Sequence, residues 1–293
     1  PGGPGSIVID FNFRDLLGIP FLAIRAGQVH ITGLSFTDFR FENVPDCIFE
    51  FDSAPDCSVR ESAFFADNNI NPVAEKVFVR LRNADRFRLA TSHFGTDLSK
   101  SSIVQTEGVV KVEATQGSLS ATIDSNIFAA RVPLVHLYGG NVDLNGNIFG
   151  ALDTNKSVNF LNPTVGILVL GADRVAIRNN FFFGFLTTAI DVQAVNGSLE
   201  ISNNRFYNNA IDVRLDGFTS PTVVARNFGR AGGGFVLAGN LGELFVEDNS
   251  ISNYTYLINA ATPQNYRTAR YMGNRFTCMT GKPVIMPPRP VPV

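Results

Sequence analysis

Two aspartates hold equivalent places in similar short segments and could share acid–base chemistry. The segments are Ala189-Ile190-Asp191-Val192 and Ala210-Ile211-Asp212-Val213. If they stack as adjacent strands, the carboxylates of Asp191 and Asp212 lie close enough to couple, which raises the pKa of one of them. Such a pair, with Arg214 beside it, can supply the proton donor and the base or nucleophile of glycoside hydrolysis. The alternative is a solvated pair of aspartates near turns.

Three cysteines offer a second kind of chemistry. Cys47 and Cys57 stand ten positions apart, each beside a turn, and their spacing fits a disulfide that closes a small loop. Cys278 is left over. A disulfide would indicate an extracellular protein, whereas three reduced, buried cysteines are the alternative.

Composition limits the function classes. The chain of 293 residues has 45% hydrophobic and 17% charged residues and a formal net charge of -2. This lacks the basic character of nucleic-acid-binding proteins, so we expect no nucleic-acid partner. The sequence contains no apolar run long enough for a transmembrane helix.

One sequence pattern recurs along the chain. It predicts the strands that would position these groups. It consists of an apolar residue, a small or polar residue three positions later, and usually Phe two positions after that. The middle position is often Asn, and the expected Phe positions are Phe36, Phe64, Phe94, Phe128, Phe149, Phe182, Phe206, Phe228 and Phe276, with Ile251 in one copy. Stacked turns of a solenoid explain both columns, because rings can pile up inside and Asn amides can bond along the stack.

A second strand with alternating apolar residues lies between these units, as in Ile48-Phe49-Glu50-Phe51 and Ile167-Leu168-Val169-Leu170. Two strands per repeat of roughly 27 residues leave no room for a helix. We therefore predict one all-β domain over residues 1–293, with about ten to eleven rungs over 20–285. Residues 1–19 would form an N-terminal cap, and 286–293 a Pro-rich tail.

The Ile, Val and Phe columns and the irregular period resemble the right-handed parallel β-helix of the pectin-lyase-like superfamily. A leucine-rich repeat is the rival fold, although it keeps a steadier period and prefers Leu. The resemblance implies active groups on outward positions of one strand column, where Asp191 and Asp212 would stand with Arg214. It implies calcium only for a lyase, which needs more carboxylates than Asp191, Asp212 and Asp216 supply. The polygalacturonase motifs are missing, and we predict no other cofactor and no metal site.

The same outward column contains apolar residues that are poorly suited to water, namely Tyr138, Leu168, Leu170 and Val236. We expect them to contact a protein partner or sister chains, as in a trimer, or to be covered by the chain's own loops.

Two functional hypotheses follow. The first is a non-catalytic extracellular rod, secreted or on a virion surface, that binds a partner or builds an assembly. The second is a polysaccharide-active lyase or hydrolase that uses Asp191 and Asp212. Because one fold serves many functions, the resemblance alone does not decide between them.

Overall fold

The computed structural model describes residues 7–10, 21–37, 47–64, 76–96, 108–113, 119–129, 135–151, 164–218, 221–254, 258–259, 268–278 and 284–285. Within these ranges every regular element is a β-strand, and neither an α-helix nor a 3₁₀-helix occurs. The predicted all-β class is confirmed. The expected Pro-rich tail, and the expected cap apart from one strand, lie outside the described residues.

The strands form three parallel sheets, and strands three apart in chain order are neighbours. Sheet A contains β1 (Ile7–Asp10), β4 (Leu34–Thr37), β7 (Ala63–Phe64), β10 (His93–Phe94), β13 (Ile127–Phe128), β16 (Ile148–Phe149), β19 (Phe181–Phe183), β22 (Arg205–Tyr207), β25 (Phe228–Gly232), β28 (Ser250–Tyr254) and β31 (Arg275–Cys278). Sheet B contains β2 (Leu22–Ile24), β5 (Cys47–Asp52), β8 (Lys76–Arg82), β11 (Gly108–Glu113), β14 (Val135–Leu137), β17 (Val165–Val169), β20 (Thr188–Val192), β23 (Val213–Phe218), β26 (Phe235–Leu241), β29 (Ile258–Asn259) and β32 (Val284–Ile285). Sheet C contains β3 (His30–Thr32), β6 (Ser58–Arg60), β9 (Phe87–Ala90), β12 (Ser120–Asp124), β15 (Asn141–Asn145), β18 (Ala172–Arg178), β21 (Val195–Ser202), β24 (Thr222–Ala225), β27 (Glu243–Glu247) and β30 (Thr268–Met272).

Each full repeat has three strands, so the prediction of two strands per repeat is wrong. The recurring pattern is the end of a sheet C strand, a two-residue corner and the start of a sheet A strand. At one such corner Asn179 has a φ of 56° and the chain turns before Phe181. Because the corner is only two residues long, the sequence pattern does not reveal where the sheet C strand ends and the sheet A strand begins. Three strands per repeat without a helix do not fit the leucine-rich-repeat alternative.

The inward residue of this corner forms a polar ladder along the core. Seven asparagines take part. The backbone N–H and the side-chain amide of each of the first six donate to the Oδ1 of the next member, at 2.9–3.1 Å. The members are Asn126, Asn147, Asn180, Asn204, Asn227, Asn249 and Asn274. Ser62 and Ser92 continue the ladder toward the N-terminus. The predicted Asn column is confirmed with one exception. The pattern that ends at Phe228 puts Arg226 at the polar position, but Asn227 occupies it in the structure.

A column of phenylalanine rings fills the core beside this ladder. Successive rings are stacked with centroids 4.7–5.1 Å apart and planes within 3–11° of parallel. The column runs through Phe36, Phe64, Phe94, Phe128, Phe149, Phe182 and Phe206. It was expected to continue to Phe228, but Phe206 is in register with Gly229, and Phe228 is 39% exposed. The sequence pattern was one residue out of register at this corner.

The predicted disulfide between Cys47 and Cys57 is not formed, because both residues are buried thiols. Cys47 begins β5 and Cys57 follows the turn after its end, so the strand alone separates them by roughly 16 Å. A disulfide needs Cα atoms within about 7 Å. The Cys57 thiol instead donates to the Ala26 carbonyl oxygen at 3.4 Å. The side chain of Cys278 is outside the part of the chain that the structure describes.

Candidate functional site

The outward column of sheet B contains Asp191, but its neighbours differ from those expected. Asp191 is in register with Leu168 on one side and with Arg214 on the other. Asp212 therefore does not stand in the same column one rung away. The structure brings together Asp191 and Arg214 of the predicted catalytic group and places Asp212 elsewhere.

Asp212 belongs to the corner that leads into β23. The side chain is completely buried, and its Oδ1 accepts a hydrogen bond of 2.9 Å from Asn209 Nδ2. Its backbone N–H donates to the Gly234 carbonyl oxygen at 3.0 Å. The prediction that the two similar segments place their aspartates equivalently is wrong, because Asp191 lies within β20, whereas Asp212 precedes the first residue of β23. Asp212 thus supports the turn.

Four side chains form what we call the polar quartet: Asp191 and Gln193 from the end of β20, with Arg214 and Asp216 from β23. Gln193 Nε2 donates to Asp191 Oδ2 at 3.4 Å, and Arg214 is 3.7 Å from Asp216 Oδ2. The carboxylate that accompanies Asp191 is therefore Asp216. Counting alternate residues from Asp191 and Arg214 could have identified Gln193 and Asp216, had the register been known.

Asp191 is in an unusual setting for a carboxylate. It is 7% exposed, and its Oδ1 is buried without a hydrogen-bond donor among the described residues. Burial raises the pKa of Asp191, while the Gln193 hydrogen bond and the Arg214 charge oppose this and the Asp216 charge adds to it. A carboxyl group in this setting holds its proton to higher pH than an exposed one.

Three of the predicted contact residues lie side by side and form what we call the apolar patch: Tyr138, Leu168 and Leu170. Tyr138 is 37% exposed, and both leucines are half-buried. Leu170 follows β17 and donates its N–H to the Leu137 carbonyl oxygen at 2.8 Å, which places it next to Tyr138. Val236 is separated from the patch because it follows Arg214 in the column. The predicted strip is therefore interrupted by the polar quartet.

The outward face of sheet B is closed toward its N-terminal strands. Glu50 and Arg80 are in register and form an ion pair of 3.2 Å, with each side chain 7% exposed. Arg82 adds a contact of 3.3 Å to the same Glu50 oxygen. His136 precedes Leu168 in the column and is buried. These polar residues are occupied with one another or buried. Among the described residues, the accessible part of this face includes the apolar patch and the rim of the quartet.

The part of the chain that the structure describes contains no group of three or more His, Cys, Asp or Glu side chains that could hold a metal ion. Within the same ranges, no helix is long and apolar enough to cross a membrane. The calcium expected only for a lyase stays a prediction.

Comparisons with protein-family models, with curated proteins and with solved structures found no match. The geometry of the outer face of sheet B therefore carries the functional inference.

Proposed function

We propose that this chain is a right-handed parallel β-helix of the pectin-lyase-like kind. We further propose that it is an extracellular, non-catalytic rod that assembles with sister rods through the outer face of sheet B. The three parallel sheets support the fold, and the sequence pattern supports the handedness and the N-terminal cap. Secretion or display on a virion surface is part of the same proposal.

The observation that carries the proposal is the apolar patch beside the polar quartet. Tyr138, Leu168 and Leu170 present adjoining apolar surface at the edge of a charged cluster, and such a mixture is typical of protein interfaces. Aromatic and arginine side chains contribute most of the affinity in many interfaces, and here Tyr138 and Arg214 could do so. Asp191, by contrast, is too enclosed to meet a polymer directly.

The test is the mass of the chain in solution, measured by light scattering after size-exclusion chromatography. A trimer is the assembly expected, since three rods can bury one outward column each around an axis. The variant with Tyr138→Lys and Leu170→Lys should elute as a monomer, because it would place two ammonium groups in the interface. Both side chains point outward, so circular dichroism should show an intact fold.

Met272→Lys is the matched control, because Met272 is 48% exposed but lies on sheet C. It should leave the trimer intact. A monomeric unmodified chain, or equal dissociation by Met272→Lys, would contradict the proposal.

The second candidate function is a polysaccharide lyase or hydrolase, favoured by the proximity of Asp191, Arg214 and Asp216. Burial raises the pKa of Asp191, as a proton donor requires, and Asp216 would act as the base or nucleophile. This assignment replaces Asp212 by Asp216. Because a closed site lowers access for a polymer, we rank this function below the assembly.

A depolymerisation screen on acidic and neutral polysaccharides, with and without calcium, tests the second function. Unsaturated products and new reducing ends report cleavage. Asp191→Asn should reduce the rate roughly a hundredfold or more, and Asp173→Asn, on the exposed surface of β18, should not. Inactivity on every substrate by the folded chain would exclude this function.

A further inference from the structure

The outer face of sheet A carries a group of positive charges over β22, β25, β28 and β31. Phe206 and Ile251 occupy inward positions of this sheet, and side chains alternate along a strand, so the residues on either side of them point outward. Three exposed arginines stand at outward positions: Arg205, Arg230 and Arg275. We call this face the arginine face.

The charges of the arginine face are not compensated by its own residues. Among the described residues, none of the three arginines has an ion pair or a hydrogen bond. The four strands contain neither Asp nor Glu. Asp248 lies at the adjoining corner, where its carboxylate is placed against Gly273 of the next corner. The arginines are therefore available to an anionic partner.

The register fixes the spacing of the three arginines. Arg205 and Arg275 belong to one column, with Phe228 and Ser250 between them. Three strand spacings separate these two arginines by roughly 14 Å along the stack. Arg230 is on the next strand after Arg205 and two residues further along it, which places the two roughly 8 Å apart. The three charges form a shallow zigzag that follows the long direction of sheet A.

An aromatic surface lies within the zigzag. Phe228 is 39% exposed and stands next to Arg205 in the column. The ring centroid of Tyr207 is 5.9 Å from that of Phe228, and the two rings are tilted. Ser250 follows Phe228 in the column and has a short side chain, so the ring and the arginines project beyond it. Arginine and aromatic side chains together are typical of surfaces that bind proteins.

These groups define the chemistry of the partner. A guanidinium binds a carboxylate through two parallel hydrogen bonds. In an extended peptide every second side chain points the same way, and successive ones are roughly 6.8 Å apart. A peptide laid along the stack would therefore present three carboxylates over roughly 14 Å, which matches the span from Arg205 to Arg275. The methylene groups of the middle acidic residue would pack on Phe228.

A long polyanion such as a nucleic acid fits this chain less well. The formal net charge is -2, so a densely charged polymer would be repelled by most of the molecule. A short acidic peptide touches only the arginine face, and its few charges match the three arginines in number. Charge and spacing together favour the peptide.

We propose that the arginine face binds an extended acidic segment of a partner protein, with a carboxylate at every second residue. The three carboxylates lie on Arg205, Arg230 and Arg275, and the segment crosses the strands over Phe228. The apolar patch is on sheet B, so this site does not depend on the proposed assembly.

The test is isothermal titration calorimetry of the full chain with the blocked peptide Gly-Glu-Val-Glu-Val-Glu-Gly. The same peptide with Gln in place of each Glu should bind roughly tenfold or more weakly, because it loses the charge-assisted hydrogen bonds. The peptide Gly-Val-Glu-Glu-Glu-Val-Gly has the same charge, but its successive carboxylates point to opposite sides. It should bind roughly threefold or more weakly.

Three results with these probes would overturn the proposal. The first is the absence of binding by the alternating peptide. The second is equal binding of any two of the three peptides, which would remove the role of charge or of spacing. The third is tighter binding of hexathymidylate than of the alternating peptide, which would assign the arginine face to single-stranded nucleic acid.

A double variant locates the binding on the arginine face. Arg205→Gln with Arg230→Gln should weaken binding of the alternating peptide roughly tenfold, since two of the three carboxylates lose their partners. Arg60→Gln with Arg174→Gln is the matched control, because it removes two exposed arginines from sheet C and changes the net charge equally. It should leave the affinity within roughly twofold of the unmodified chain.

Thermal unfolding checks that both double variants fold, and equal midpoints are expected because all four side chains are exposed. Equal weakening by the two double variants would show that only the overall charge matters, and this would overturn the proposal. So would binding that Arg205→Gln with Arg230→Gln does not weaken.

Discussion

Asp191 and Glu200 show how differently two carboxylates on the outside of this fold are placed. Burial raises the pKa of Asp191, as described above. A hydrogen bond of 2.7 Å from Arg178 lowers the pKa of Glu200, and Ser202 donates a second one at 2.7 Å. The ionised form of Glu200 therefore stabilises the fold, whereas the ionised form of Asp191 opposes it.

The two residues predict opposite effects of pH on stability. Asp191 ionises more readily in the unfolded chain, where its pKa is near 3.8, than in the folded chain. Its contribution to the free energy of unfolding therefore falls as the pH rises from that value through the raised pKa of the folded state. The contribution of Glu200 is present above its unfolded pKa, near 4.5, and is lost as the pH falls through the lowered folded value. Going from pH 4 to pH 7, Asp191→Asn should become more favourable relative to the unmodified chain, and Glu200→Gln less favourable.

Urea unfolding of both variants at the two pH values measures this difference. Glu200→Gln should cost roughly 0.5–1 kcal/mol at pH 7, since its ion pair is partly exposed. Each variant serves as the control for the other. A change of the same sign for both would show that the burial of Asp191 is not the dominant influence.

The two-residue corner between sheets C and A is the element that most constrains this fold. Its first residue adopts a positive φ, as in Asn179 at 56° and Asn203 at 55°. Asparagine tolerates this conformation better than most residues. The second residue turns its amide inward, and there it satisfies backbone groups that would otherwise be buried without partners.

The two residues of the corner have different roles, and substitutions of the adjacent asparagines Asn179 and Asn180 test them. Asn180→Ala should cost roughly 3–5 kcal/mol, because it removes the donation to Leu144 and leaves the amides of Asn147 without an acceptor. Asn179→Gly should cost less than about 1 kcal/mol, because Asn179 is exposed and glycine accepts its backbone conformation. Thermal unfolding of the two variants gives the comparison, and equal destabilisation would contradict this account.

At the scale of the whole molecule, the core changes character after Phe206. Up to that residue, stacked rings connect one repeat to the next, whereas Gly229 has no side chain to continue the column and Ile251 follows it. In a stack where each repeat contacts mainly its neighbours, stability follows the local interfaces. We therefore expect the repeats beyond Gly229 to open more easily.

Amide hydrogen exchange tests this expectation. Strand amides around Phe149 and Phe182 should exchange roughly tenfold or more slowly than those around Ile251, because a stacked aromatic pair adds about 0.5–1.5 kcal/mol beyond area burial. Uniform protection along all three sheets would contradict it.

Much of this architecture could be predicted from single residues, because the inward Phe and Asn columns repeat in the sequence. The third strand could not, because its corner contains no consistent Gly or Pro signal: Thr91, Ser125 and Asp248 all take the positive φ. The register at Phe228 was missed because Arg226 and Asn227 both fit the polar position. A cleft of about 390 Å³ on the outer face of sheet C, over β9, β12, β15 and β18, could not be predicted either, since it depends on side-chain lengths across four strands at unequal sequence intervals.

The constant corner also determines where this chain can accept new sequence. A residue inserted between Asn179 and Phe181 would exchange the inside and the outside of the strand that follows. The connection from sheet A to sheet B carries no such restriction, because it runs from Tyr207 to Val213 in one repeat and from Phe149 to Val165 in another. Foreign peptides grafted at that junction can vary in length while the stack keeps its spacing, so the fold permits diversification there and excludes it at the corner between sheets C and A.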